Sequence, residues 1–438
     1  MMRSIKKVNF ESIQKMSVEL PCAVIITSIN RWSLCGGTAC VLMLGAVQAQ
    51  GADFSVKPSL SVSEEYTDNV FESNLNKRSD YITRLQPGLA LKYNAPLWDW
   101  DLSYGFDYRN YARGSRNDDT THNINANGLV KIIDEVLFLE LSDVYKRVSL
   151  DVTRDNTNES LYSNQSDQNV GTVSPYLVLH PTARLTLKTG YRYINTWYKD
   201  PQAIDKQDHI GFLNSSYEFS SKLFLTADYT FTREIPLKNS SFYRHEAYLG
   251  PRYEYADRSF IYARGGIIAS NYDNGTDYFN PSWNAGITHA FDSMTADLSA
   301  GMKYSDDPLG NSTLDTSYNI SLTRNLQRGR LTLRGSYTEF LDANTDRLKN
   351  KRYSGGFTGA YELVQDLRAS LGVTYENYED LQRNSTTEKY YVDCGLNYDF
   401  GEELSVGLTY KYIDYSSAEI ATDNYQVNRV ILEVKKVF

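Results

Sequence analysis

The sequence has little of what most folds and most enzymes depend on. Of four cysteines, Cys22, Cys35 and Cys40 precede residue 50 and only Cys394 follows it, so a chain cleaved there holds no internal disulfide. The five histidines, His122, His180, His209, His245 and His289, stand far apart and none has metal-ligand spacing, so neither a metal nor a cofactor is expected. No GxSxG, HExxH, Walker or GxGxxG pattern occurs in a suitable context, and no catalytic residue is assigned. His245 beside Glu246 comes nearest to a base–acid pair, but nothing places a serine against it. The run Tyr272 to Asp277 offers side-chain oxygens to Ca²⁺ but lacks the bidentate Glu, and reads as a solvated loop. After residue 50 no window approaches 18 uninterrupted apolar residues, which excludes a transmembrane helix there. Basic excess is missing too. The formal charge is −9, and the first 49 residues carry +3 (Arg3, Lys6, Lys7, Lys15 and Arg31 against Glu11 and Glu19), leaving −12 for the rest. That balance argues against nucleic acid as a partner.

What is present is tyrosine: 35 of 438 residues, against 11 prolines, in a chain of mean hydropathy −0.48. A polar average with many aromatics suits a β-barrel in a membrane, where only alternate residues meet lipid. The N-terminus reads as a signal peptide over 1–49. Arg31 precedes the apolar run Leu34 to Val47, and Val47-Gln48-Ala49 is a small-x-small cleavage site. Residues 50–438 then form the barrel.

From Phe54 onward, alternating runs are broken by turn residues, with no convincing 3.6-residue period. Short connections (94–96, 133–135, 181–182, 220–221, 256–258, 292–293, 327–329, 364–366, 401–403) take turns with long polar ones. The long ones are 67–79, 113–119, 149–168, 199–207, 234–242, 271–279, 305–314, 342–350, 380–388 and 416–424. Such sorting is expected of tight periplasmic turns facing long extracellular loops. It predicts an all-β, closed antiparallel transmembrane β-barrel of about twenty strands, within a range of 16 to 20, with both termini in the periplasm.

A glycine followed by tyrosines recurs at Gly301…Tyr304, Gly335…Tyr337, Gly372…Tyr375 and Gly407…Tyr410, at steps of 34, 37 and 35 residues; Gly105…Tyr108 and Gly190…Tyr193 fit as well. These tyrosines read as an outer aromatic girdle, since an amphipathic ring suits headgroup depth. Strand parity sends Asp107, Arg192, Asp228, Arg252, Asp297, Arg334, Asp393, Lys411 and Arg429 to the lumen as candidate pore-lining residues. A charge on the lipid face costs about 2–4 kcal/mol for Arg or Lys near midplane, which enforces this segregation. The last strand, Tyr425 to Phe438, puts Val430, Leu432, Val434 and the terminal Phe438 on one face. That is the expected signal for the barrel-insertion machinery. Lys436 departs from it on the same face, and snorkelling to the periplasmic headgroups accommodates it.

The early segment SVSEEYTDNVF (Ser61 to Phe71), strands such as Gly190-Tyr-Arg-Tyr193, and the ending DNYQVNRVILEVKKVF (Asp423 to Phe438) together resemble the putative β-barrel porin-2 family. Some members are tied to exopolysaccharide and PEP-CTERM-type systems. The resemblance covers essentially the whole chain after the leader, its most specific pieces being Glu65 to Asn69 and the final strand. It implies the outer membrane of a Gram-negative bacterium and passage or export of glycans, and it carries no catalytic residues. The expected function is a porin-like channel passing polar solutes through a mixed-charge lumen. The alternatives are an exopolysaccharide exporter with periplasmic partners, or a structural or adhesion barrel binding through loop 149–168. Expected partners are outer-membrane lipid or lipopolysaccharide, the insertion machinery, and polar solutes or polysaccharide.

Overall fold

The computed structural model describes residues 52–150, 165–418 and 424–438, except Thr276, Asn311, Asn344 and Asp346. The predicted leader 1–49 and most of loop 149–168 lie outside these residues. The rest is twenty β-strands. They are β1 (Asp53–Thr67), β2 (Asp80–Ala95), β3 (Trp98–Tyr111), β4 (Asp119–Ile133), β5 (Leu137–Ser149), β6 (Gln165–Thr182) and β7 (Leu185–Tyr198). Next come β8 (Lys206–Ser220), β9 (Leu223–Pro236), β10 (Phe242–Ala256), β11 (Ser259–Tyr272), β12 (Asp277–Ala290) and β13 (Met294–Asp306). Last are β14 (Ser312–Leu326), β15 (Gly329–Asp342), β16 (Leu348–Val364), β17 (Leu367–Asp380), β18 (Ser385–Phe400), β19 (Leu404–Ser417) and β20 (Tyr425–Val437). Each pairs antiparallel with the next, and β1 pairs with β20 from Ser59–Val437 to Thr67–Arg429, closing the barrel. The strand count, the closure and the short–long alternation agree with the sequence reading.

The two kinds of connection differ physically. Several short turns place one residue at positive φ (Glu135, Arg258, Asp366 and Gly401), mostly beside a register shift in the flanking ladder. That is the geometry of three-residue hairpins with a bulge. The long loops instead end in polar anchors: Oδ2 of Asp80 accepts from both the amide and the hydroxyl of Ser115, and Oδ1 accepts from the Arg113 and Tyr81 amides.

Period two sorts the faces. Val430, Leu432, Val434 and Phe438 are all exposed on the outer side of β20, while their neighbours Val427 and Arg429 are buried inside. Lys436 lies over the Phe438 ring, 5.0 Å from its centre, a cation–π contact at the rim of the short turns. Leu432→Arg is expected to cost about 2–4 kcal/mol in urea unfolding from lipid vesicles. Glu433, on the other face, accepts a 2.6 Å bond from Ser61. Glu433→Gln should therefore cost no more than about 1.5 kcal/mol.

The girdle is legible strand by strand. Eight residues above the first residue, seven of the ten rising strands carry an aromatic: Phe106, Tyr145, Tyr193, Phe231, Tyr337, Tyr375 and Tyr412, on β3, β5, β7, β9, β15, β17 and β19. At the same position β1, β11 and β13 carry Ser61, Ile267 and Met302. Apart from β1 at the closure, the aromatic ring is interrupted beside the place where the wall itself opens.

A constriction inside the barrel as the candidate functional site

The β12–β13 ladder runs only from Ala290–Thr295 up to Asn284–Gly301, seven residue pairs. Above Gly301, β13 stays paired with β14 to Asp306–Ser312, and β14 with β15 to Thr313–Asp342. The upper β13–β14 hairpin therefore leaves the wall while keeping its own hydrogen bonds. It leans inward. Leu314, on the outward parity of β14, packs with Ala343 against inward-facing Ile268 of β11. The Tyr304 ring lies under the Arg244 guanidinium at 4.3 Å and near Phe242, both inward-facing on β10. Parity alone assigns Tyr304 to the outer girdle; the structure turns it into the lumen, because its strand no longer shares the wall's orientation.

The tip reaches further. The Ile204 amide donates to the Pro308 carbonyl at 2.8 Å, and Leu309 packs on Leu150, Tyr198 and Ala203. Since β9 to β12 lie between these partners along the wall, the hairpin forms a chord across the interior. Its charged anchor is Lys206, whose Nζ lies 3.2 Å from Glu234 and 3.4 Å from Asp306. Arg244 bonds Glu246 at 2.6 Å, and Asp208 is buried directly across from Glu234. Behind the chord a cavity of about 200 Å³ is lined by Lys206, Glu234, Tyr272, Asp306, Asp307 and Ser312, among others. Five carboxylates (Asp208, Glu234, Glu246, Asp306, Asp307) thus meet two bases (Lys206, Arg244).

The opposite wall is built by the two chain ends. Asp68 accepts from the Asn428 amide at 2.8 Å and from Asn428 Nδ2 at 2.7 Å. Asn69 Nδ2 donates to the Ser73 and Gln426 carbonyls. Arg429 holds Glu72 at 2.6 Å and lies 3.7 Å from Glu65. Val70 packs inward on Ile82 and Tyr111, which folds the β1–β2 loop over the mouth. The stretch Glu65 to Asn69 is thus a latch joining β1 to β20.

All nine candidate lining residues lie on the parity opposite to the exposed apolar series of their strands. They do not form one ring. Asp107 accepts from Arg84 and Arg109, each at 2.7 Å, and Asp393, Lys411 and Arg429 follow one another across β18 to β20. Asp228 is held by Arg264 at 2.8 Å, and Arg252 lies 3.2 Å from Glu254. Asp297 accepts from Thr288 at 2.7 Å, Arg192 lies over the Phe212 ring, and Arg334 is exposed. None of the nine belongs to the Lys206–Glu234–Asp306 group, which parity cannot single out from other inward charges. The one signal was Tyr304-Ser-Asp-Asp307, a girdle motif running straight into two acids. His245 and Glu246, being neighbours on a strand, face outward and inward and cannot form a dyad. Asp273 of the Tyr272–Asp277 run is bound at both oxygens by Arg233, 2.7 Å each.

Comparisons agree with this architecture. Among solved structures, the FrpB iron transporter of Neisseria meningitidis (F5-1 variant) is similar over 87% of this chain and 82% of its own, with TM-score 0.53 and 10% identity. Its apoprotein form gives TM-score 0.51 at 11% identity, over 87% of this chain and 81% of that one. Pseudomonas aeruginosa OccK5 (OpdH) covers 88% of this chain and 98% of its own, with TM-score 0.42 and 13% identity. At these identities the FrpB likeness is one of fold. A search of curated proteins finds no match. The chain is a porin-like barrel of the Gram-negative outer membrane, and over residues 46–207 it matches the model of Putative beta-barrel porin 2, the family its sequence resembles.

Proposed function

We propose that the barrel is a passive channel for small polar solutes, with cations favoured at the constriction. The observation that carries this reading is the inward β13–β14 chord with its excess of carboxylates over bases. A polar interior stands in for bulk water, and fixed charges orient what passes. Arg84, Arg109, Lys411 and Arg429 line the wall from β19 to β3, roughly opposite β8 to β10. Their partners Glu65, Glu72, Asp107 and Asp393 nearly balance them, so selectivity resides with the acidic side. The nine lining residues set conductance on this view, and Val430, Leu432, Val434 and Phe438 address the chain to the insertion machinery. In a salt gradient across a planar bilayer, the purified protein should show a cation-favouring reversal potential. Asp306→Asn with Glu234→Gln should move that potential toward zero. A barrel that does not conduct at all sinks the proposal.

A second reading, passage of a glycan toward periplasmic or surface partners, is favoured by an inward aromatic shelf. Phe138 and Tyr176 stack at 5.1 Å, and Phe212 faces Tyr176 across Gly190. A Cβ at Gly190 would lie 2.6 Å from the Tyr176 Cβ, so glycine keeps the shelf continuous. Sugar rings bind such faces. Oligosaccharide that fails to block conductance, or surface glycan unchanged after gene deletion, would remove this reading. The leader belongs to the same proposal: the purified barrel should begin at Gln50.

A further inference from the structure

Three histidines repeat one arrangement on the lipid-facing side. His122 faces Phe106, His209 faces Tyr193 and His245 faces Phe231 across neighbouring strands, at ring distances of 5.2, 5.2 and 5.0 Å. In each case a tyrosine two residues lower meets the histidine Nδ1: Tyr104 at 3.0 Å, Tyr191 at 2.6 Å and Tyr229 at 2.8 Å. All three lie on descending strands (β4, β8 and β10) at girdle height, level with the residue eight above the start of the neighbouring rising strand. With the phenol donating to Nδ1, the ring proton sits on Nε2, the far side of the ring. Each clamp therefore holds an N–H donor at headgroup depth.

One of these places carries more. Outward-facing Arg233 on β9 lies directly across from His209 on β8 and from Tyr243 on β10, two residues above the level of His245. Its guanidinium stacks on Tyr243 at 4.1 Å and is bound by Asp273 in the loop above. That bond holds the Asp273 carboxyl below the usual carboxylate range. Adjacent strands are about 4.8 Å apart, so His209 flanks the arginine at one strand spacing, while His245 lies on the diagonal, one strand over and two residues lower, at about 7–8 Å.

We propose that His209, Arg233 and His245 form a binding site for the phosphate of an outer-leaflet lipid headgroup. A planar guanidinium with donors on either side matches the oxygens of a phosphate monoester. The position, at the edge of the apolar belt, is where such headgroups lie. Asp273 is the anion that the phosphate must share the arginine with. His122 has the clamp too, but the arginine in register beside it on β5, Arg147, is already taken by two carboxylates, Asp119 at 3.0 Å and Asp167 at 2.9 Å, so His122 serves as an internal control.

The test is native mass spectrometry of the full barrel in detergent, with diphosphoryl lipid A or its dephosphorylated form as probe. The wild type should hold the phosphorylated lipid about ten-fold more tightly. Arg233→Gln, and His209→Gln with His245→Gln, should each remove most of that preference, and His122→Gln should leave it. Equal binding of the two lipids overturns the proposal. So does a His122→Gln loss as large as that of the double variant, or displacement of the lipid by inorganic phosphate at equal concentration. Heat-modifiable migration on gels checks that each variant is folded. Should Arg233→Gln fail that check, the histidine pair decides alone.

Discussion

Removing Pro308, Leu309 and Gly310, so that β13 and β14 join by a shorter turn, is expected to raise single-channel conductance by about two-fold or more. The loop tip contributes the Pro308 carbonyl contact to Ile204 and the Leu309 contact to Leu150, Tyr198 and Ala203. Without them the hairpin keeps its salt link through Lys206, its packing on Ile268 and the Tyr304 contacts with Arg244 and Phe242. A twenty-strand barrel is too wide for side chains alone to fill, so the chord is what narrows it. The ladder of β13 with β14 lies outside the deleted residues, and heat-modifiable migration should be unchanged. Conductance equal to the wild type in a folded variant would show that the hairpin does not limit flow. Lys206→Met should act in the same direction more weakly, since it leaves Glu234 and Asp306 to repel each other.

Arg429→Ala is expected to destabilise the barrel by about 3–5 kcal/mol, the range for breaking a buried ion pair by removing one partner. The Arg429, Glu65 and Glu72 side chains are 5%, 2% and 3% exposed, and the substitution strands two carboxylates at the closure of the barrel. Midpoints of urea unfolding in vesicles measure the effect. Replacing all three together, with Arg429→Met, Glu65→Gln and Glu72→Gln, should recover most of the loss, because no uncompensated charge then remains. A single variant within about 1 kcal/mol of wild type would place these groups in water, not in a closed latch.

The wall of this barrel is legible in the sequence because its two signals are local. Leu404 to Tyr412 alternates within one strand, and Gly401-Glu402-Glu403 announces the turn before it without reference to any other part of the chain. The inward hairpin is not local. Whether Tyr304 meets lipid or lumen depends on where the register between β12 and β13 ends, and nothing within Met294 to Asp306 encodes that. Parity assumes that every strand remains in the wall, and it misplaces Tyr304 for that reason. The histidine clamps are hidden similarly. His209 and Tyr191 are 18 residues apart and meet only along a diagonal between strands, so spacing within one strand cannot find them. Glu65 to Asn69 carries the family resemblance, yet its partners in Gln426 to Arg429 are more than 350 residues away.

The seven-pair ladder between β12 and β13 is shorter even than the nine pairs that join β1 to β20. A cylinder slit part-way down one side is softest along the slit, not along its glued edge. Thermal breathing and applied tension should both concentrate there, and a solute too large for the narrowed bore would be accommodated by that flank spreading while the sealed termini hold.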